Sequence, residues 1–168
     1  MIYTNTLLED AIEELYLYVG IRDPDYSVEE MADKLGIVIL DYKLPFSIPG
    51  HIFLNPQLSK EKKKELFAHE LSHDLYHVGL QINMPMDFRN LQEWQARNFA
   101  LHFCIPTFML KKMELPNNRA AASAKIAETF HVTYPFAYKR LKQYEKRIVE
   151  AWFHDYLINS INNKTTYF

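Results

Sequence analysis

The sequence predicts a mostly helical chain of mixed α and β elements, with two short strands ahead of one long helix. Three observations carry this. Apolar residues keep helical spacing over most of the chain. Two short apolar runs, Ile37–Tyr42 and His51–Asn55, read as strands ahead of the longest helix. That helix carries His69-Glu70-Leu71-Ser72-His73, and at helical spacing both histidines fall on one face.

The elements follow in order. Thr6 and Glu9 have capping-box spacing before Leu8, Ile12, Leu15, Tyr16 and Val19, and Gly20 stops that helix. Asp23-Pro24-Asp25 is a turn. Ser27 and Glu30 open a second helix through Met31, Ala32 and Leu35, closed by Gly36. The first strand follows, then a loop over Pro45–Gly50, then the second strand, stopped by Pro56. Ser59 opens the long helix, expected to reach Gly79. It is charged at Lys60–Glu65 and apolar on two sides later, the pattern of a buried helix. Leu80–Asn90 holds Pro85 and shows no period, so it reads as a loop. Asn90 is placed to cap a helix from Leu91 to about Cys104. Thr107–Met113 adds a turn or two, Ala120–Phe130 is alanine-rich and helical, and Pro135 fits the first turn of a last long helix. The tail from Asn162 to Phe168 is expected to fray.

Composition excludes several classes. The chain has 168 residues, within the usual range for one domain. It is 48% apolar and 24% charged, so it is globular rather than disordered. One cysteine, Cys104, excludes a disulfide framework and a cysteine-built zinc finger. A net charge of -2 argues against a global electrostatic grip on nucleic acid. The start has no signal-peptide pattern and no run is long enough to span a membrane, so a cytoplasmic protein with no membrane partner is expected. Seven histidines remain. A metal in this protein must be held by histidine and carboxylate.

His69 and His73 sit one above the other on the long helix and can converge on one tetrahedral zinc ion. Glu70 points slightly aside. It can take a proton from water that zinc has acidified, and that water then attacks a carbonyl. With seven His and thirteen Glu in 168 positions, such a pattern arises by chance roughly 0.02 times. A charged surface cluster is the competing reading. A catalytic zinc needs a third protein ligand and an open position. No histidine stands at the longer metzincin spacing. Glu93, twenty residues after His73, is the first candidate, although Asn90 and Glu93 also have capping-box spacing. Glu114 is the fallback. Tyr76, His77 and His102 are candidates to stabilise an oxyanion, and the spacing does not choose among them. For His77 a place at a helix C-terminus is the plainer reading. Cys104 reads as a small core residue. His51, His131 and His154 read as ordinary.

The chain resembles the ImmA/IrrE-type metallopeptidases of phages, mobile elements and bacterial stress regulators. The likeness covers most of the first 110 residues. It rests on Val28–Leu40, His51–Asn55, Leu58-Ser59, the active helix from Phe67 to His77, and the block Glu93–Pro106. The resemblance implies an α+β fold, mostly helical with a small β-sheet beside the active helix, and a gluzincin-like minimal metallopeptidase with a zinc site of His69, His73 and Glu93 and with Glu70 as the base. Three positions depart from the family pattern. Ser72 stands where Gly is frequent. Arg97 stands where Asn or Asp is common, with Asn98 about 100° further round the helix; a residue there can orient a ligand histidine. Cys104-Ile105 replaces a Leu-Leu pair.

Residues 1–115 are expected to form the peptidase core and 116–168 a helical extension packed on it. Ala124–Leu141 has a helix–turn–helix look, followed by basic residues up to Arg147. Glu145 and Glu150 interrupt that basic run, so packing on the core is the preferred reading over DNA contact. The resemblance implies a zinc endopeptidase that cleaves a helix–turn–helix repressor and so derepresses phage or mobile-element genes. The alternative is a non-catalytic regulator that binds DNA or the repressor and keeps a vestigial metal site. The retained Glu70 argues against it, because a structural zinc needs no base.

Overall fold

The computed structural model describes residues 3–76 and 84–164, the side chains of 159 and 161–164 excepted. It is mostly helical with one three-stranded sheet. Helix α1 (Leu7–Val19) begins on the expected capping box, the Thr6 side chain accepting from the Glu9 N–H and Glu9 returning a bond to the Thr6 N–H. Helix α2 (Val28–Leu35) is capped by Ser27, which accepts the Glu30 N–H at 3.0 Å. Both helices end on a left-handed glycine, Gly20 and Gly36.

Strands β1 (Val38–Asp41), β2 (Phe46–Ile48) and β3 (His51–Leu54) form the sheet in the order β1-β3-β2. Strand β1 runs parallel to β3, and β2 pairs antiparallel with it, Ser47 opposite Ile52. The expected loop over Pro45–Gly50 is therefore half of a hairpin. Pro49-Gly50 is its turn, with Gly50 at φ 74°. A three-residue strand between two prolines is too short to show a period, which hides it from pattern reading.

Helix α3 (Lys60–Tyr76) packs chiefly on α4 (Met86–Cys104). Phe67, Ala68 and Leu71 of α3 are fully buried in the core. The charged start of α3 is partly buried as well. Lys64 Nζ donates to the Phe130 carbonyl at 2.9 Å and lies 3.8 Å over the Tyr26 ring; burial lowers its amine to a pKa of about 8. Glu65 accepts the Thr133 N–H at 2.7 Å. These two side chains pin the turn at Phe130–Thr133 onto α3.

Helix α4 corrects two expectations. It starts at Met86, directly after Pro85, so 86–90 is helix rather than loop. Asn90 lies inside the helix and caps nothing. Proline is tolerated at a helix start, where its missing N–H would be unpaired anyway. The expected helix end at Gly79 and the loop residues 80–83 lie outside the described residues.

The chain continues through α5 (Thr107–Leu110), α6 (Arg119–Phe130) and α7 (Tyr134–Lys164). The last helix runs two residues past Asn162, where fraying was expected. Ile126, Phe130, Ala137 and Leu141 share one core cluster with Ile12, Phe67 and Phe103. Arg140 is fully buried: its Nε donates to the Ile105 carbonyl at 3.2 Å and its Nη2 to Thr107 Oγ1 at 2.6 Å. Glu9 Oε1 stands 3.6 Å away. Arg147 pairs with Glu150. The basic stretch is thus not one exposed cationic face. Among the described residues no helix is long and apolar enough to cross a membrane.

Candidate metal centre

Helix α3 presents His69 and His73 one turn apart, and α4 brings Glu93 against them. The two Nε2 atoms are 3.2 Å apart. Glu93 Oε2 lies 3.5 Å from His69 Nε2, and Oε1 lies 3.4 Å from His73 Nε2. Ligands about 2.0–2.1 Å from a tetrahedral ion stand roughly 3.3–3.4 Å from one another. The separation of the two imidazoles is close to that edge, and a carboxylate oxygen of Glu93 lies at a similar distance from each, so the donor set fits a metal ion. Among the described residues these are the His, Cys, Asp and Glu side chains grouped closely enough to hold an ion. Glu114 is not one of them.

The corrected start of α4 removes the ambiguity over Glu93. A capping-box role needs the third residue of a helix. Glu93 is the eighth residue of α4, well beyond that first turn.

Glu70 is buried next to His69. Burial, and then the charge of Glu93, raise its carboxyl to about 7, while a hydrogen bond from Ser47 works the other way. Ser47 belongs to β2, the strand that pattern reading missed, and its hydroxyl steadies the carboxylate from the sheet side. A second tie from the hairpin was equally hidden. The Gly50 N–H donates to Asp74 Oδ1 at 2.9 Å and holds the β2–β3 turn on α3. Neither contact leaves a local sequence signal, because each joins residues more than twenty positions apart.

The remaining candidates separate. Arg97 lies at the site: its Nε donates to the Glu93 carbonyl at 3.1 Å and its Nη2 is 3.8 Å from Glu93 Oε2. Asn98 turns to α7, its Oδ1 accepting from Gln143 at 3.1 Å. His102 bonds to the Asn98 carbonyl at 2.9 Å. Burial and the nearby Arg140 charge lower its imidazole to about 4. His102 therefore belongs to the packing around Arg140. Tyr76 stands at the end of α3, half exposed, its ring 5.6 Å from that of Phe99 and tilted 62° to it. His77 lies outside the described residues. Cys104 is buried, and burial pushes its thiol up to about 12.

A cavity of about 280 Å³ opens beside His69 and Glu70. Its wall joins α3, α4 and the first turns of α7.

Fold and site together define a small, mostly helical protein with a His/His/Glu cluster suited to a metal, shared between two packed helices. Residues 32–142 match the IrrE N-terminal-like domain, a peptidase family. The chain belongs to this family of IrrE/ImmA-like peptidases. It is 38% identical over 167 residues to the phage-like element PBSX protein XkdA of Bacillus subtilis (strain 168), covering 94% of this chain and 82% of that protein. It is 35% identical over 159 residues to the uncharacterized protein YqaB of the same organism, covering 91% of this chain and 92% of that one. Among solved structures, a Mycobacterium tuberculosis transcriptional regulator shares the fold with a TM-score of 0.51 at 17% identity. That match covers 77% of this chain and 44% of the regulator, so the chain spans less than half of that structure.

Proposed function

We propose that this protein is a zinc-dependent, gluzincin-like endopeptidase that cleaves a helix–turn–helix repressor and so switches on phage or mobile-element genes. The observation that carries the reading is the convergence of His69, His73 and Glu93 with Glu70 buried beside them. The three would hold zinc, leaving a coordination position for substrate. Zinc bound there supplies Lewis acidity, which acidifies water and polarises a peptide carbonyl. Glu70 accepts the proton from the attacking water and passes it to the leaving amine. Arg97 holds Glu93 in place through its backbone carbonyl and its carboxylate. Residues 1–115 form the catalytic core in this reading, and 116–168 close one side of its cleft. Membership of a peptidase family and kinship with a protein of a phage-like element support it.

The test is metal content together with cleavage. The purified chain is expected to bind one zinc and to cut the helix–turn–helix regulator encoded beside its gene. Glu70→Gln is expected to keep the zinc and the fold and to lose cleavage by about 10²–10⁴-fold. Cleavage by Glu70→Gln at the wild-type rate, or a wild-type chain that binds no zinc, overturns the reading.

A further inference from the structure

The cavity beside the metal centre has a composition that the zinc chemistry does not need. Leu66, Leu101 and Phe136 give it an apolar wall, and His69 and Glu70 form the side that meets the centre. Its volume of about 280 Å³ is just below the roughly 300–1,000 Å³ of small-molecule sites. That is room for one large side chain rather than for a cofactor. Glu65, which is buried, also lines it, and so do two cations, Arg97 and Lys139. Both side chains are exposed, so they sit where the cavity meets solvent.

Phe136 and Lys139 come from α7, and their placement is rigid. The neighbouring Ala137, Arg140 and Leu141 are all buried, and Arg140 is held by the Ile105 carbonyl and Thr107. A recognition site built on a fixed helix loses little entropy when it is filled.

We propose that this cavity is the subsite that receives a large apolar side chain next to the bond to be cut, and that Arg97 and Lys139 select a substrate with a carboxylate close to that side chain. The proposal rests on the endopeptidase reading and gives the C-terminal helices a part in specificity. An apolar side chain displaces water from Leu66, Leu101 and Phe136. A carboxylate gains from two cations at the rim, an interaction that salt weakens.

The probes are fluorescein-labelled decapeptides with blocked ends that differ at one central position, Leu, Phe, Ala or Asp. A second set keeps Leu and places beside it Glu, Gln or a free carboxyl terminus. Binding is read by fluorescence anisotropy on the zinc-loaded full chain carrying Glu70→Gln, and cleavage by mass spectrometry on the wild type. Leu and Phe peptides are expected to bind about ten- to a hundred-fold tighter than Ala or Asp. Adding Phe136→Ala is expected to shrink that ratio below about threefold. Adding Lys139→Glu is expected to leave the apolar preference and to abolish the advantage of a carboxylate over Gln. The Glu and free-terminus arms show which carboxylate the rim takes. Lys139 is exposed, so its variant carries the test if Phe136→Ala does not fold.

Affinities indifferent to the central residue, preferences unchanged in both variants, or no binding by any peptide overturn the proposal. Selective binding without wild-type cleavage overturns the endopeptidase reading and leaves the subsite standing. Cleavage indifferent to the central residue and to both variants does the reverse.

Discussion

Arg140→Met tests how α7 is held against the rest of the molecule. The substitution keeps an apolar stem of similar length and removes the charge and both donated hydrogen bonds. Glu9 is then left in the core without its cation, though it still accepts from Tyr3 at 2.6 Å, from Thr107 and from the Thr6 N–H. Removing one member of a buried pair costs about 3–5 kcal/mol. The surviving donors place the effect at the lower end, about 3 kcal/mol. The titration of Glu9 reflects all of its partners. Burial alone would raise its carboxyl, but the bonds from Thr107, Tyr3 and Thr6 and the charge of Arg140 hold it at about 2 against the ordinary 4.5. At about 1.4 kcal/mol per pKa unit that difference corresponds to roughly 3 kcal/mol for all four partners together, with Arg140 the smallest of them. A depressed carboxyl contributes stability above its unfolded pKa and loses it as pH falls toward 2. Without Arg140 the carboxyl titrates higher, so the acid loss still begins near the unfolded pKa but is smaller and ends at a higher pH. Urea unfolding followed by circular dichroism at pH 7 and pH 3 reads both effects. The midpoint at pH 7 is expected to fall by roughly 1–3 M, given m of about 1–3 kcal/mol/M. Adding Glu9→Gln to Arg140→Met is expected to recover part of the loss. A loss below about 1 kcal/mol, or an unchanged acid profile, refutes the account of this pair.

Other consequences are as direct. Glu93→Ala removes one of three donors and is expected to drop bound zinc below one per chain by atomic absorption, with the far-ultraviolet spectrum unchanged; full zinc content would move the third ligand elsewhere. Gly50→Ala places a side chain at φ 74° and is expected to cost about 1 kcal/mol in thermal or urea unfolding, although its Cβ would meet no atom within 4 Å. Cys104 is expected to stay unreactive to a thiol reagent at pH 8 in the folded chain and to react at once in denaturant. Rapid labelling of the native protein would contradict its burial.

The sequence reveals the helix that carries His69 and His73 because i,i+4 spacing is a local property, and HELSH shows it in five consecutive letters. Caps and glycine stops are local as well, so α1 and α2 are readable to within a residue or two. Glu93 is only half legible. Its identity as a donor can be guessed, but its freedom from a capping role depends on α4 beginning at Met86, and Pro85 hides that start. Strand β2 is missed because it is short and gains its pairing only from β3. Phe136 and Lys139 give no local hint of their place beside His69, because the fold brings together positions nearly seventy residues apart. The basic run misleads for the same reason. Arg140 reads as a surface charge, and only the packed structure shows it as the buried partner of Glu9.

The placing of two candidate donors on α3 and one on α4 has a topological consequence. His73 and Glu93 are twenty positions apart, so an ion held by both turns the chain between them into a closed ring. Closing a ring of that size takes conformational freedom from the unfolded chain, and it does so whatever reaction the ion promotes. Binding and folding are then coupled, because the unfolded chain has no preformed site. An ion bound there would fasten α3 to α4 whatever chemistry it supplied, and a chelator would open that ring.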